Sequence, residues 1–193
     1  MLHLKLPTDP RWVNIAEKNI ADILTDHAYC EQKAASSCIT LIVENVEKEK
    51  LVEVLTPVVA EEWSHFERVL AEIKKRNYTL GKPRKDMYVL ELQKFIQKGG
   101  SHNDRLLDKL LVNALIEARS CERFKLLWQY IADAELSKFY YELMISEAAH
   151  YVNFIDLAKT YHPEEKVEKR WEFFLEVEHK IIDNLEWRGD RMH

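Results

Sequence analysis

The chain of 193 residues is poor in the residues that interrupt helices, with four glycines and five prolines. These two residues punctuate local structure, so their scarcity excludes a turn-rich all-β fold, and long stretches read with a helical rather than an alternating period. Cysteine is scarce as well. Cys30, Cys38 and Cys121 have no Cys-x-x-Cys spacing, which excludes a zinc ribbon and leaves reduced thiols in or near a core. No apolar run approaches a membrane span, and Met1 to Pro10 is too short and mixed for a secretory signal, so a soluble, cytoplasmic protein without a membrane partner is expected. What is present is 47% hydrophobic composition, enough for one helical domain over residues 1–193 with a sizeable core.

The few punctuating residues set the boundaries. Asp9 and Pro10 resemble an N-cap and first helical position, and they open a short helix that leads, with a break near Thr25 and Asp26, into a long helix through about Asn45. Thr56 and Pro57 either start or kink a second helix that runs to about Arg76. A third spans Ser101 to Tyr130, and Asp133 caps a fourth that ends before Pro163. A fifth, flanking helix over 163–187 offers Trp171, Leu175, Ile182 and Leu185 to the outside of a bundle. Helices one and two, and three and four, are joined closely enough to be antiparallel, whereas about two dozen residues separate two from three. One long crossover is the ferritin-like topology among four-helix bundles.

Glutamate and histidine then form a doubled pattern. Glu31 is followed by Glu62 and His65, and Glu117 by Glu147 and His150, with separations between the lone and the paired Glu of 31 and 30 residues. One Glu-x-x-His carries little weight, since a chain so rich in Glu holds about one by chance. The face of the helix decides. Glu62 and His65 align with Leu55, Val58, Val59, Phe66, Val69 and Ile73; Glu147 and His150 align with Leu136, Tyr140, Leu143, Phe154 and Leu157. Glu31 falls in line with Leu24, His27, Ala28, Ala35, Cys38 and Ile42, and Glu117 with Leu110, Ala114, Cys121, Phe124 and Trp128. A third pair, Glu176 and His179, aligns with Glu172 and Asp183 and reads as solvated. Burying four carboxylates is prohibitive unless cations neutralise them or several stay protonated. Four carboxylates and two imidazoles suit two divalent ions such as iron, although the ligand types alone do not exclude manganese. Glu122, also on the third helix, is turned about 140° from Glu117, and His27, one turn before Glu31, is a satisfied core histidine, a group supporting the ligand or an occasional ligand itself. Trp63, Phe66, Tyr140 and Phe154 line either a substrate pocket or plain core.

The crossover, residues 74–100, is the second informative region. Lys74, Lys75, Arg76, Lys82, Arg84, Lys85, Lys94 and Lys98 stand against Asp86 and Glu91, a formal +6, while the whole chain carries −5 and the remainder therefore −11. Such a split points to a phosphate-bearing partner, with Lys74, Lys75, Arg76, Lys82, Arg84 and Lys85 as candidate contacts. Tyr78 and Tyr88 lie among them, placed to stack on an unpaired base. The plainer alternative is a solvated loop with a short amphipathic helix, Met87 to Gln97, covering the bundle.

Four blocks, Asp26-His-Ala-Tyr-Cys-Glu31, Glu61-Glu-Trp-Ser-His65-Phe-Glu-Arg68, Leu115-Ile-Glu-Ala-Arg-Ser-Cys-Glu-Arg-Phe124 and Ser146-Glu-Ala-Ala-His150-Tyr151, resemble the tRNA 2-methylthio-N6-isopentenyladenosine hydroxylases over nearly the whole chain. The resemblance implies a ferritin-like, non-haem di-iron monooxygenase that hydroxylates the isopentenyl group of a modified adenosine in the tRNA anticodon stem-loop. It further implies that Glu31 and Glu117 each bind one iron, that Glu62 and Glu147 bridge, and that His65 and His150 complete the set. O2 is then the co-substrate. No flavin or nicotinamide motif is present, so electrons are expected from an external donor, a separate reductase or ferredoxin. The competing expectation is a ferritin-like iron-storage or peroxide-scavenging protein with the same ligands, which has no use for the basic crossover.

Overall fold

A computed structural model describes residues 3–186 and 188–192. Among them the regular structure is helical: α1 (Trp12–Ala16), a 3-10 turn (Glu17–Asn19), α2 (Ile20–Glu44), α3 (Glu49–Lys75), α4 (Met87–Gln93), α5 (His102–Tyr130), α6 (Ala134–Tyr161) and α7 (Glu164–Asn184). The helices divide into two compact units, one of residues 14–85 and 188–192, the other of the described residues up to 13 and from 86 to 186.

In the first unit, α2 and α3 pack side by side as an antiparallel pair joined by the short link Asn45–Lys48. Ile23, Leu24, Ala28, Leu51, Leu55 and Val69 are fully buried, each large one worth about 1.5–3 kcal/mol on leaving water. The break before α2 falls at Glu17–Asn19 rather than near Thr25 and Asp26, which are buried inside α2. That polar pair looks like punctuation in the sequence, but both side chains have partners, described below, that compensate their burial. Pro57 neither starts nor ends α3, which begins two turns earlier at Glu49. A proline there removes one helical N–H. The helix continues around it, and the Thr56 hydroxyl donates to the Val52 carbonyl at 2.7 Å.

In the second unit, α5 and α6 form the other antiparallel pair, with α4 and α7 packed against α5. Ser101 and Asp104 make a capping box at the start of α5. Asp133 accepts from the Glu135 and Leu136 amides at the start of α6. The amphipathic crossover helix is shorter than its sequence pattern, ending at Gln93 rather than Gln97, and is capped by Asp86. The flanking helix starts after Pro163 and ends at Asn184; the expected end at Trp187 lies outside the described residues.

Candidate metal centre

The first unit gathers one triad. The i, i+3 spacing of Glu62 and His65 puts both on the inward face of α3, and Glu31 faces them from α2. Glu31, Glu62 and His65 are 4%, 0% and 4% exposed. One potential ligand atom from each lies within 4.8 Å of the others. His65 Nδ1 is 3.4 Å from a Glu31 oxygen and 3.6 Å from a Glu62 oxygen. The other Glu31 oxygen meets His27 Nε2 at 2.6 Å, and His27 is fully buried.

The second unit repeats the arrangement. Glu117 on α5 and Glu147 with His150 on α6 are all buried, their potential ligand atoms again within 4.8 Å of one another. His150 Nδ1 is 3.6 Å from Glu147. On the same helices Leu110, Ala114, Phe124, Leu136, Tyr140, Leu143 and Phe154 are buried. Burial pushes the Cys121 thiol up to about 12, with the Glu147 carboxylate adding to the shift, so Cys121 stays a protonated core group. In each triad two carboxylates converge on an imidazole out of water. That donor set of hard oxygens and borderline nitrogen fits iron, which takes mixed carboxylate and imidazole ligands.

Comparisons with known proteins agree with this chemistry. The family model for tRNA-(MS2IO6A)-hydroxylase (MiaE) matches residues 1–193. The chain belongs to that family. A tRNA 2-(methylsulfanyl)-N(6)-isopentenyladenosine(37) hydroxylase of Pseudomonas putida is 34% identical over 94% of this chain and 87% of its own length. The Salmonella typhimurium protein of the same name is 28% identical over 93% and 83%. Among solved structures, a Synechococcus protein described as having aldehyde deformylating oxygenase activity superposes with a TM-score of 0.93 at 36% identity, covering 98% of this chain and 94% of its own. The fold is thus all-α and ferritin-like, with the long crossover and flanking helices expected of the sequence.

The remaining predicted groups of this MiaE-family chain fall in several places. Glu122 is half-buried and accepts from the Thr8 amide at 2.9 Å and hydroxyl at 2.8 Å, and it pairs with Arg119. Its carboxylate therefore serves the N-terminal segment, consistent with its rotation from Glu117. Glu176 is exposed and pairs with Lys5, while His179 is half-buried. Tyr140 and Phe154 are core; Phe66 is half-buried and Trp63 is 45% exposed. Of the basic stretch, Lys74, Lys75, Lys82 and Lys85 are exposed. Arg76 pairs with Glu72, and Arg84 with Asp22 and Asp190. Tyr78 is 40% exposed, but Tyr88 is buried, its hydroxyl 3.4 Å from both the Leu115 carbonyl and Glu178. Tyr88 cannot stack on a base; it faces inward because Asp86 starts α4 so that Tyr88 and Leu92 share its buried side.

One buried network lies beyond what the sequence reading identifies. Arg119, fully buried, donates from Nε to Glu178 at 2.9 Å and from Nη2 to the Leu6 carbonyl at 3.0 Å. Burial raises the Glu178 carboxyl, opposed by the Arg119 charge beside it. A signal was available: Glu178 lies in step with Trp171, Leu175 and Ile182 on the apolar stripe of α7.

Proposed function

We propose that this chain is a tRNA hydroxylase that uses O2 and two iron ions to hydroxylate the isopentenyl group of 2-methylthio-N6-isopentenyladenosine beside the anticodon. The observation that carries the reading is the pair of buried triads, Glu31, Glu62, His65 and Glu117, Glu147, His150, in a chain matched from end to end by a tRNA hydroxylase family. These six residues are the proposed iron ligands. Bound iron supplies O2 activation strong enough for an unreactive C–H bond, which no acid or base side chain provides. The residues around the triads keep water out and fix the ligands: Leu55, Val69, Leu110 and Leu143 form dry walls, and His27 holds one oxygen of Glu31.

For RNA, exposed Lys74, Lys75, Lys82 and Lys85 are the leading phosphate contacts, whereas the Arg76 and Arg84 charges are engaged in ion pairs. Tyr78 is placed to stack on an unpaired base. The anticodon loop is single-stranded, so presenting its modified base costs little unstacking. Electrons come from a separate reductase or ferredoxin, and a tRNA substrate implies a cytoplasmic protein. A second reading, aldehyde deformylation, is favoured by the 36% identity to the Synechococcus oxygenase; it does not use the basic stretch.

Mass spectrometry of nucleosides separates the two. Isopentenyl-modified tRNA incubated with iron-loaded protein, O2 and a chemical reductant is expected to gain one oxygen on the modified adenosine, and Glu117→Ala is expected to abolish the gain. No gain despite bound iron and O2 consumption would reject the tRNA reading; conversion of a fatty aldehyde under those conditions would support the second.

A further inference from the structure

Two glycines bring two separate stretches of chain onto the N-terminal part of the first unit. At Gly81 the amide donates to Thr25 Oγ1 at 3.3 Å and the carbonyl accepts from the Tyr29 hydroxyl at 2.9 Å, which seats the lysine-bearing stretch on α2. At Gly189 an added Cβ would lie 2.5 Å from Ile15 Cγ2 and 2.7 Å from the Ile15 carbonyl oxygen, so no other residue fits without displacing the segment. Beyond Gly189 the chain is tied down again. The Met192 amide donates to the buried Asp26 carboxylate at 2.8 Å.

Asp190 joins the two stretches. Arg84 Nη1 donates to it at 3.0 Å, Arg188 Nε at 2.9 Å and Arg191 Nη1 at 3.0 Å, while Arg84 also pairs with Asp22 on α2. Three guanidinium groups therefore meet the carboxylates of Asp22, Asp26 and Asp190, with Arg191 Nε 3.8 Å from Asp26. This lattice is balanced in charge. It contributes little net attraction for a polyanion, but it fixes the backbone on either side of Arg84, and Lys82 and Lys85 are exposed on that backbone. A charge held in place contributes more to phosphate binding than one that must be ordered on contact.

We propose that Gly189–Met192 is a latch that positions the Gly81–Lys85 stretch for RNA phosphates, with Asp190 and Arg84 as positioning residues that do not themselves touch the RNA. The inference rests on the tRNA reading above. It gives the crossover a cause for its shape that charge counting does not: the lysines project from a braced segment, and the arginine among them is the brace.

The test is equilibrium binding of an isopentenyl-modified anticodon stem-loop to the iron-loaded full chain, together with KM and kcat for its hydroxylation. Asp190→Asn removes a negative charge beside a nucleic-acid face, so electrostatics alone would tighten binding. The latch requires the opposite sign: binding weakens by roughly fivefold, the scale expected when one or two phosphates are no longer neutralised, and the loss falls on KM rather than kcat. Gly189→Ala, which alters no charge, is expected to weaken binding to a similar degree, and Asp190→Glu to retain most of the wild-type affinity. Tighter binding by Asp190→Asn would overturn the latch and make Asp190 a repulsive charge. Unchanged affinity in both Asp190→Asn and Gly189→Ala, with the wild type binding, would overturn it while leaving the tRNA reading intact. A wild-type chain that binds no stem-loop would overturn both. If RNA affinity holds but transfer from a protein reductant slows, the face belongs to that protein and the latch proposal fails.

Discussion

The two triads share a ligand pattern but differ one turn before their lone glutamates. Ahead of Glu31 stands His27, buried and 2.6 Å from its carboxylate; ahead of Glu117 stands Asn113, half-buried, whose side-chain amide donates to the Lys109 carbonyl at 2.7 Å. In the first unit an imidazole meets the carboxylate, and in the second an amide stands at the equivalent position. Doubled spacing therefore fixes which residues converge without making the halves chemically equal. Groups beside a metal ligand set its orientation and basicity, so the two proposed iron positions are expected to differ in affinity.

The largest effect should come from the ligands common to both halves. Glu62→Ala and Glu147→Ala should each cut bound iron to well below the wild-type stoichiometry by elemental analysis; an unchanged iron content in either would remove that triad from the metal centre. Next in size is the buried Arg119–Glu178 pair of the second unit. Arg119→Met strands the Glu178 carboxylate and should cost about 3–5 kcal/mol in chemical denaturation, against under about 1 kcal/mol for an exposed surface pair such as Lys50 and Glu53, 3.5 Å apart on α3. His27→Asn makes the first half resemble the second. It should lower iron affinity roughly 10- to 100-fold, and Asn113→Ala should lower it less, because a neutral amide is a weaker partner for a carboxylate than an imidazole. Equal effects at the two positions would show that the asymmetry has no consequence for the metal.

The smallest effect is at the start of α5. Ser101→Ala should cost about 1 kcal/mol through loss of the cap. Lys166 and then Ser101, both bonded to Asp104, hold its carboxyl well below the usual carboxylate range. A depressed carboxyl stabilises the fold above its unfolded value of 3.8 and loses that contribution as pH falls below it. Acid unfolding of Ser101→Ala should accordingly show a shallower pH dependence below 3.8 than the wild type.

Helical periodicity made the inward faces of α2, α3, α5 and α6 legible, because a carboxylate within an apolar stripe has few places to go. Asp133 was legible as a cap for a similarly local reason, a side-chain oxygen ahead of exposed helix amides, and Ser101 as the start of α5. What escaped was nonlocal. Thr25 and Asp26 resemble a helix break until Gly81 and Met192, distant in sequence, are seen to bond their side chains. Arg84 resembles a phosphate ligand until Asp22 and Asp190 are found beside it. Glu178 was in step with its apolar neighbours, but its partner, Arg119, lies on another helix, and sequence spacing alone does not pair them.

Iron per chain tests most directly whether the two buried triads, Glu31, Glu62, His65 and Glu117, Glu147, His150, are metal ligands. Two irons per chain are expected for the wild type, with fewer in both Glu31→Ala and Glu117→Ala. One iron per chain in the wild type, or a full complement of two in either variant, would contradict that assignment.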